Sequence, residues 1–367
     1  MNSFYVRSLI RPLAVAAAVT LLSTALPAQG LGGAAVVTQP TFTSITFGDG
    51  AAKRSVSQFA LPVVVIIPLG EKLNLDITTA FASSTVSAND STVSEIAGLT
   101  DLQVRANYRF REAYLFTLGV NVPTGQYSVA AEQQEAAGQI GNDFLYYPIS
   151  SMGNGFAFTG GVAYARPVGE WNVGVGGSVR KSTEFAAFAD TTDDFRFTPA
   201  DEYRVQFSGD RPIGEGEVSV GLTYSMFGSD IAENTTYSTG DRIIATAGWG
   251  FPVKGTKVFL SGWNLYRLPG QQLGGDAPKE NVFNLSGAVS FDVKNYVVQP
   301  SVETRLWQVG GARAGNQFNV GVRVRVPVSS VVLFPQFGYT MGNVYSTTDG
   351  TGTKVSGIRL SLTARYN

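Results

Sequence analysis

Ten arginines carry the chemistry this chain could do. Arg105, Arg109, Arg180, Arg204, Arg242, Arg305, Arg323, Arg325, Arg359 and Arg365 each stand where apolar and polar residues alternate, on the polar parity. A guanidinium is permanently charged, donates hydrogen bonds through a rigid fork and fits carboxylates. Asp76 and Glu303 are the few acids placed with them. Burying an unpaired charge is expensive, so this parity must face water or meet acids from elsewhere. In the first case the arginines line a wet lumen, and a charged lining that is mostly Arg favours anionic solutes such as carboxylates. In the second, Glu132, Glu135, Asp143, Glu184, Asp190, Asp193 and Asp194, all in long loops, fold inward and neutralise them. Both readings stay open at this level.

The elements that position these arginines are strands. From Leu102 to Phe110 every even position is apolar or aromatic and every odd one polar. Phe318 to Val326 and Ile358 to Tyr366 repeat the pattern, and Leu73–Ala80, Trp171–Arg180, Tyr203–Ser208, Val218–Met226 and Asn281–Phe291 follow it less strictly. A two-residue period places the two sets on opposite faces. A soluble sandwich alternates as well, but does not usually set Arg on its inner face.

The punctuation between the strands alternates. Tight turns read Pro68-Leu69-Gly70-Glu71, Pro167-Val168-Gly169-Glu170, Pro212-Ile213-Gly214-Glu215, Pro252-Val253-Lys254-Gly255 and Pro327-Val328-Ser329-Ser330, with Arg111-Glu112 and Val293-Lys294-Asn295 completing seven. Longer polar loops are expected at 84–100, 123–153, 183–199, 228–239, 269–280, 309–316 and 343–353. Short turns on one side and long loops on the other predict an all-β chain folded as a transmembrane up-and-down antiparallel β-barrel. Residues 36–47 supply a first strand and bring the count to sixteen. With Pro40 and poor alternation, that segment also suits a plug, and fourteen strands is the second choice.

Composition agrees. Of 367 residues, 44% are hydrophobic and only 15% charged, with net charge −1, 42 Gly, no Cys and no His. About a quarter charged is usual for a soluble chain. No internal apolar run approaches the roughly 20 residues of a membrane helix. The near-zero charge argues against a nucleic-acid partner. Without His or Cys there is no thiolate nucleophile, no His base and no His-ligated metal. No enzyme activity and no cofactor is therefore expected. Asp190-Thr191-Thr192-Asp193-Asp194 reads as a solvated loop more readily than as a Ca²⁺ site. Arg7, Arg11 and the apolar stretch Leu13–Leu26, with a small-residue step at Ala28, read as a cleaved secretory signal over 1–28.

Two features refine the barrel. Phe110, Tyr114, Tyr164, Trp171, Phe251, Phe291, Tyr296 and Tyr366 fall on the apolar parity near the tight turns or the chain end, which suits an aromatic girdle at a membrane interface. The longest loop, 123–153, is the natural constriction: Val129–Ala137 contains strong helix formers. Phe144, Tyr146 and Tyr147 follow as a possible ligand or constriction surface.

One stretch is more specific. Gly98-Leu99-Thr100-Asp101-Leu102, then Tyr108, then Leu118-Gly119-Val120-Asn121-Val122-Pro123-Thr124-Gly125 resembles a hairpin of the outer-membrane β-barrel transporter family linked to aromatic (phenol meta-cleavage) pathways. That group is distantly similar to the long-chain fatty-acid transporter class, whose N-terminal Asn-Pro-Ala motif is absent from 29–55. The last strand, with Tyr366 penultimate, resembles the terminal strand of outer-membrane proteins. The resemblance implies export to a bacterial outer membrane and passive uptake of small, aromatic or hydrophobic compounds. It further implies outer-membrane lipid, periplasmic chaperones and the barrel-assembly machinery as partners. A structural or adhesive barrel with a closed lumen and partner-binding loops is the alternative.

Overall fold

The computed structural model describes residues 34–50, 53–189, 195–272, 275–346 and 348–366. The expected signal segment 1–28 and the acidic run 190–194 lie outside them, as do the side chains of Arg365 and Tyr366. Sixteen antiparallel strands form a closed barrel. They are β1 (Ala35–Thr38 and Thr41–Phe47), β2 (Arg54–Pro68), β3 (Leu73–Ala88), β4 (Ser91–Leu99 and Leu102–Phe110), β5 (Tyr114–Val122) and β6 (Ala157–Val168). Then come β7 (Trp171–Ser182), β8 (Glu202–Ile213), β9 (Gly216–Phe227), β10 (Arg242–Val253) and β11 (Thr256–Arg267). The last five are β12 (Glu280–Val293), β13 (Tyr296–Val309), β14 (Ala312–Val328), β15 (Val331–Tyr345) and β16 (Gly352–Tyr366).

Closure is made at β1, which pairs with both β2 and β16: Thr41 faces Ala60 on one side and Ser361 on the other. The segment that sequence left between strand and plug is thus a wall strand. Pro40 lacks an N–H, and the strand breaks there, yet the Pro40 carbonyl still accepts from the Leu362 N–H at 3.1 Å and the register continues.

All seven tight turns stand where expected, at one end of the barrel. Arg111 and Glu112 both take positive φ, 49° and 58°, the twist that suits a hairpin turn. Two of the expected long loops do not exist. Residues 84–100 continue β3 and β4 through a two-residue turn at Asn89 and Asp90, and 309–316 reduces to Gly310 and Gly311 between β13 and β14. Their Ser, Thr, Gly and Asn residues look loop-like but face a neighbouring strand, whose ladder overrides propensity. Beyond the wall, Phe185–Ala186, Arg196–Thr198, Asp230–Ala232 and Thr235–Tyr237 form a small four-stranded sheet on the loop side.

Cross-strand register fixes the two faces. Leu118, Phe158, Val175, Val205, Leu222, Leu285, Val302 and Leu360 lie outward and are largely exposed. A surface this apolar around a closed sheet requires hydrocarbon as its solvent. Phe110, Tyr114, Tyr164, Trp171, Phe251, Phe291 and Tyr296 share that face near the turn end, and the Tyr114 ring lies tilted against those of Phe110 and Tyr164 at 6.3 and 4.8 Å.

Leu118 is 71% exposed at the middle of β5. Leu118→Arg is expected to cost about 2–4 kcal/mol of stability in phospholipid vesicles. Gln206→Arg, on the exposed inner face of β8, should cost about 0.5 kcal/mol or less. Equal costs in denaturant titrations would mean that the outer face does not meet lipid.

Candidate functional site

The loop between β5 and β6 does not stay outside. It turns into the barrel and packs on one side of the inner wall, near the loop-side ends of the strands. A 3₁₀ turn, Ala131–Gln133, leads into a short helix, α1 (Gln134–Ile140), where the helix formers predicted one. Ala136, Ile140, Phe144, Leu145, Tyr147 and Met152 of this loop are all buried. They rest on Ile45, Val56, Ala82, Val86, Ile96, Leu265, Val282 and Val355. These wall residues have lumen parity and yet are apolar. Alternation alone assigns that face to water; the loop is what keeps it dry.

The hairpin that carried the family resemblance is the clamp at the base of this loop. Asp101, 6% exposed, sits at the break between the two halves of β4. Its carboxylate accepts from the Gly125 N–H at 3.1 Å, the Asn154 N–H at 2.7 Å and the Asn121 amide at 2.8 Å. One side chain thus holds both the outgoing and the returning arm. A Cβ on Gly125 would collide with the backbone of Met152 and Asp101, so the arms approach only through glycine. Thr124 adds bonds to the Leu102 N–H and the Thr100 carbonyl.

Further along, the loop is pinned to strands that are remote in sequence. Ser94 of β4 bonds the Glu132 carbonyl and the Ala136 N–H, and Arg54 of β2 pairs with Glu135. Gln58 of β2 makes a two-way bond with Ile149, at 2.7 and 2.9 Å. The Tyr147 hydroxyl donates to the Val56 carbonyl at 2.9 Å, and burial pushes its pKa above the usual tyrosine range, so it remains a donor. Arg305 of β13 donates to the Phe144 carbonyl at 2.8 Å and Arg359 of β16 to the Tyr146 carbonyl at 2.9 Å. Arg267 of β11 reaches Asp143 at 3.1 Å. The Phe144 ring stacks on Trp307 at 5.1 Å, while the Arg305 guanidinium lies 5.0 Å from Tyr146 and 5.5 Å from Trp263.

The expected ligand surface is therefore divided. Tyr146 is 54% exposed; Phe144 and Tyr147 are not, being turned into the wall. The expected arginine set divides as well. Arg305 and Arg359 hold the loop, and Arg305 also pairs with Glu303 at 2.5 Å. Arg204 pairs with Glu202 at 2.7 Å. Arg242 lies over Phe227, and Arg323 over Phe334. Arg105, Arg109, Arg180 and Arg325 make no ion pair among the described residues. Of the loop acids proposed to neutralise the arginines, Asp143 and Glu135 fold inward, but onto Arg267 and Arg54. Sequence reading passed over those two because each sits at a strand end, where alternation is hardest to phase.

Opposite the docked loop the wall is bare. Gly119, Gly161, Gly174, Gly176, Gly221 and Gly248 share the inner face of β5 to β10 with Thr117, Thr159, Ser178, Ser208, Ser219 and Thr246. These short side chains make this the least bulky sector of the inner wall. Arg105 and Arg109 of β4 and Arg180, Arg204 and Arg242 stand at or within its margins.

Asp101→Ala removes an acceptor shared by three donors, at about 2–4 kcal/mol. The barrel should stay folded, shown by anomalous migration on gels before boiling, while proteolysis within 123–156 accelerates. Unchanged protection would mean that the clamp is not what retains the loop.

No family model and no curated protein matches this chain. Among solved structures it is similar to in-vitro folded OmpT, an outer membrane protein of Vibrio cholerae (TM-score 0.44, 10% identity, covering 91% of this chain and 96% of that one). An anion-selective porin from Comamonas acidovorans gives 0.43 at 13% identity, covering 90% and 99%. An outer membrane channel from Pseudomonas putida F1 gives 0.39 at 13% identity, covering 90% and 95%.

Proposed function

We propose that this chain is an outer-membrane channel through which small solutes pass down their gradients, with anions favoured. The observation that carries this reading is the asymmetry of the lumen: one side is filled by the loop, the other is lined by Gly, Ser and Thr and flanked by arginine. A barrel built only as a scaffold has no need of a bare sector facing a clamped constriction. The excess of Arg over acid on the inner wall supports anion preference. Outer-membrane lipid meets the outer face, and export through a cleaved signal and the barrel-assembly machinery is the matching route. The aromatic-solute reading has weaker support, because the hairpin that suggested it is occupied in holding the loop; exposed Tyr146 is its remaining feature.

Single-channel recording across a salt gradient should give a reversal potential of anion-selective sign. Deleting 129–142 should raise conductance several-fold, since the constriction is the narrowest resistance in series. A cation-selective potential would remove the anion preference. Vesicles that neither conduct nor swell in sugars or small acids would replace the channel with the closed, partner-binding barrel.

A further inference from the structure

The outer face is not evenly clad. Across β4 to β7 the register lines up two neighbouring rungs of outward side chains. Ala106, Leu118 and Gly160 stand on the lower rung, and Val120, Phe158 and Lys181 on the upper. Together they line a groove of about 580 Å³. Ligand sites are typically about 300–1,000 Å³, so the groove has the size of a site. Its floor is low because Ala106 and Gly160 leave the sheet backbone nearly bare. A Cβ added at Gly160 would meet only the Leu118 side chain, at 4.0 Å, so the space above it is open. Leu118 and Phe158, 71% and 52% exposed, stand proud on either side.

Lys181 is the charged member of an otherwise apolar and uncharged lining. It is exposed, and it makes no ion pair among the described residues, Asp201 just before β8 included. The strand sets its height. Trp171, in the aromatic girdle at the turn end, and Lys181 stand ten positions apart on β7. At about 3.3 Å per residue and a tilt of about 40°, that is about 25 Å of height, which is the depth of the apolar band. Lys181 therefore marks the opposite border, where headgroups begin, and the lower rung lies beneath it in hydrocarbon. We propose that this groove binds one membrane lipid whose phosphate headgroup gives it a net negative charge. The Lys181 ammonium takes the phosphate, and an acyl chain lies in the groove over Gly160. Hydrocarbon wets the whole outer face, but a depression joined to a cation at headgroup height gives each end of one lipid a fixed partner. The site requires only that the outer face meets a bilayer, so it stands apart from what the lumen conducts.

The test is native mass spectrometry of the detergent-solubilised full chain. It is mixed with equal amounts of dioleoyl phosphatidylglycerol and dioleoyl phosphatidylcholine, which share acyl chains and differ in net charge. The wild type should retain one phosphatidylglycerol about fivefold over phosphatidylcholine, the preference that one lysine near a membrane surface confers. Lys181→Gln should abolish that preference. Gly160→Leu should fill the groove without meeting backbone and reduce retention of both lipids. Heat-modifiable migration checks that both variants fold. Equal retention of the two lipids by the wild type, or wild-type retention and preference in both folded variants, would overturn the site.

Discussion

Backbone polarity is the constraint on which the rest of this molecule depends. In hydrocarbon every N–H and C=O must be paired within the protein, and a sheet satisfies them all only if it has no edge. β1 closes the sheet by pairing with β2 and β16 at once. It does so despite Pro40, which costs one donor at a point where the flanking register still holds. With the ladder closed, side chains on the outer face are free to be uniformly apolar. Those on the inner face form an enclosed surface whose polarity can be set sector by sector.

The inner surface has been set in two ways. On the side of β1 to β4 and β11 to β16 it is partly apolar and serves as the seat of a folded loop. On the side of β5 to β10 it is short, polar and unoccupied. The arginines divide accordingly. Arg305 and Arg359 spend hydrogen bonds on loop carbonyls, a use in which the charge is structural. Arg105 and Arg180 make no ion pair among the described residues and keep their charge toward the lumen. One residue type thus performs two jobs, and the strand position decides which.

Strand parity and turn chemistry were legible because period-two alternation and left-handed turns are local properties. Leu102 to Phe110 announces its two faces without help from the rest of the chain. The seat of the loop was not legible. Ile45, Val56, Val86 and Ile96 are apolar on the face that alternation gives to water, and what covers them comes from tens of residues away. The loops wrongly expected at 84–100 and 309–316 failed for a related reason: Ser and Thr in a strand face a lumen or a partner as readily as solvent. The helix within 123–153 was foreseeable from composition. That Asp101 and Gly125 form its hinge was not, although both stood in the hairpin singled out by resemblance. Their spacing signalled a constraint without saying which.

The bonds made by two adjacent residues of the loop carry a mechanical consequence. The Tyr146 carbonyl is held by Arg359 of the last strand, and the Tyr147 hydroxyl holds the Val56 carbonyl of the second. Between them runs β1, whose junction with β16 is the seam where the two ends of the chain meet. The loop therefore stitches that seam from within. Unzipping the cylinder at that joint means first pulling the thread, so the loop folded into the lumen also braces the wall.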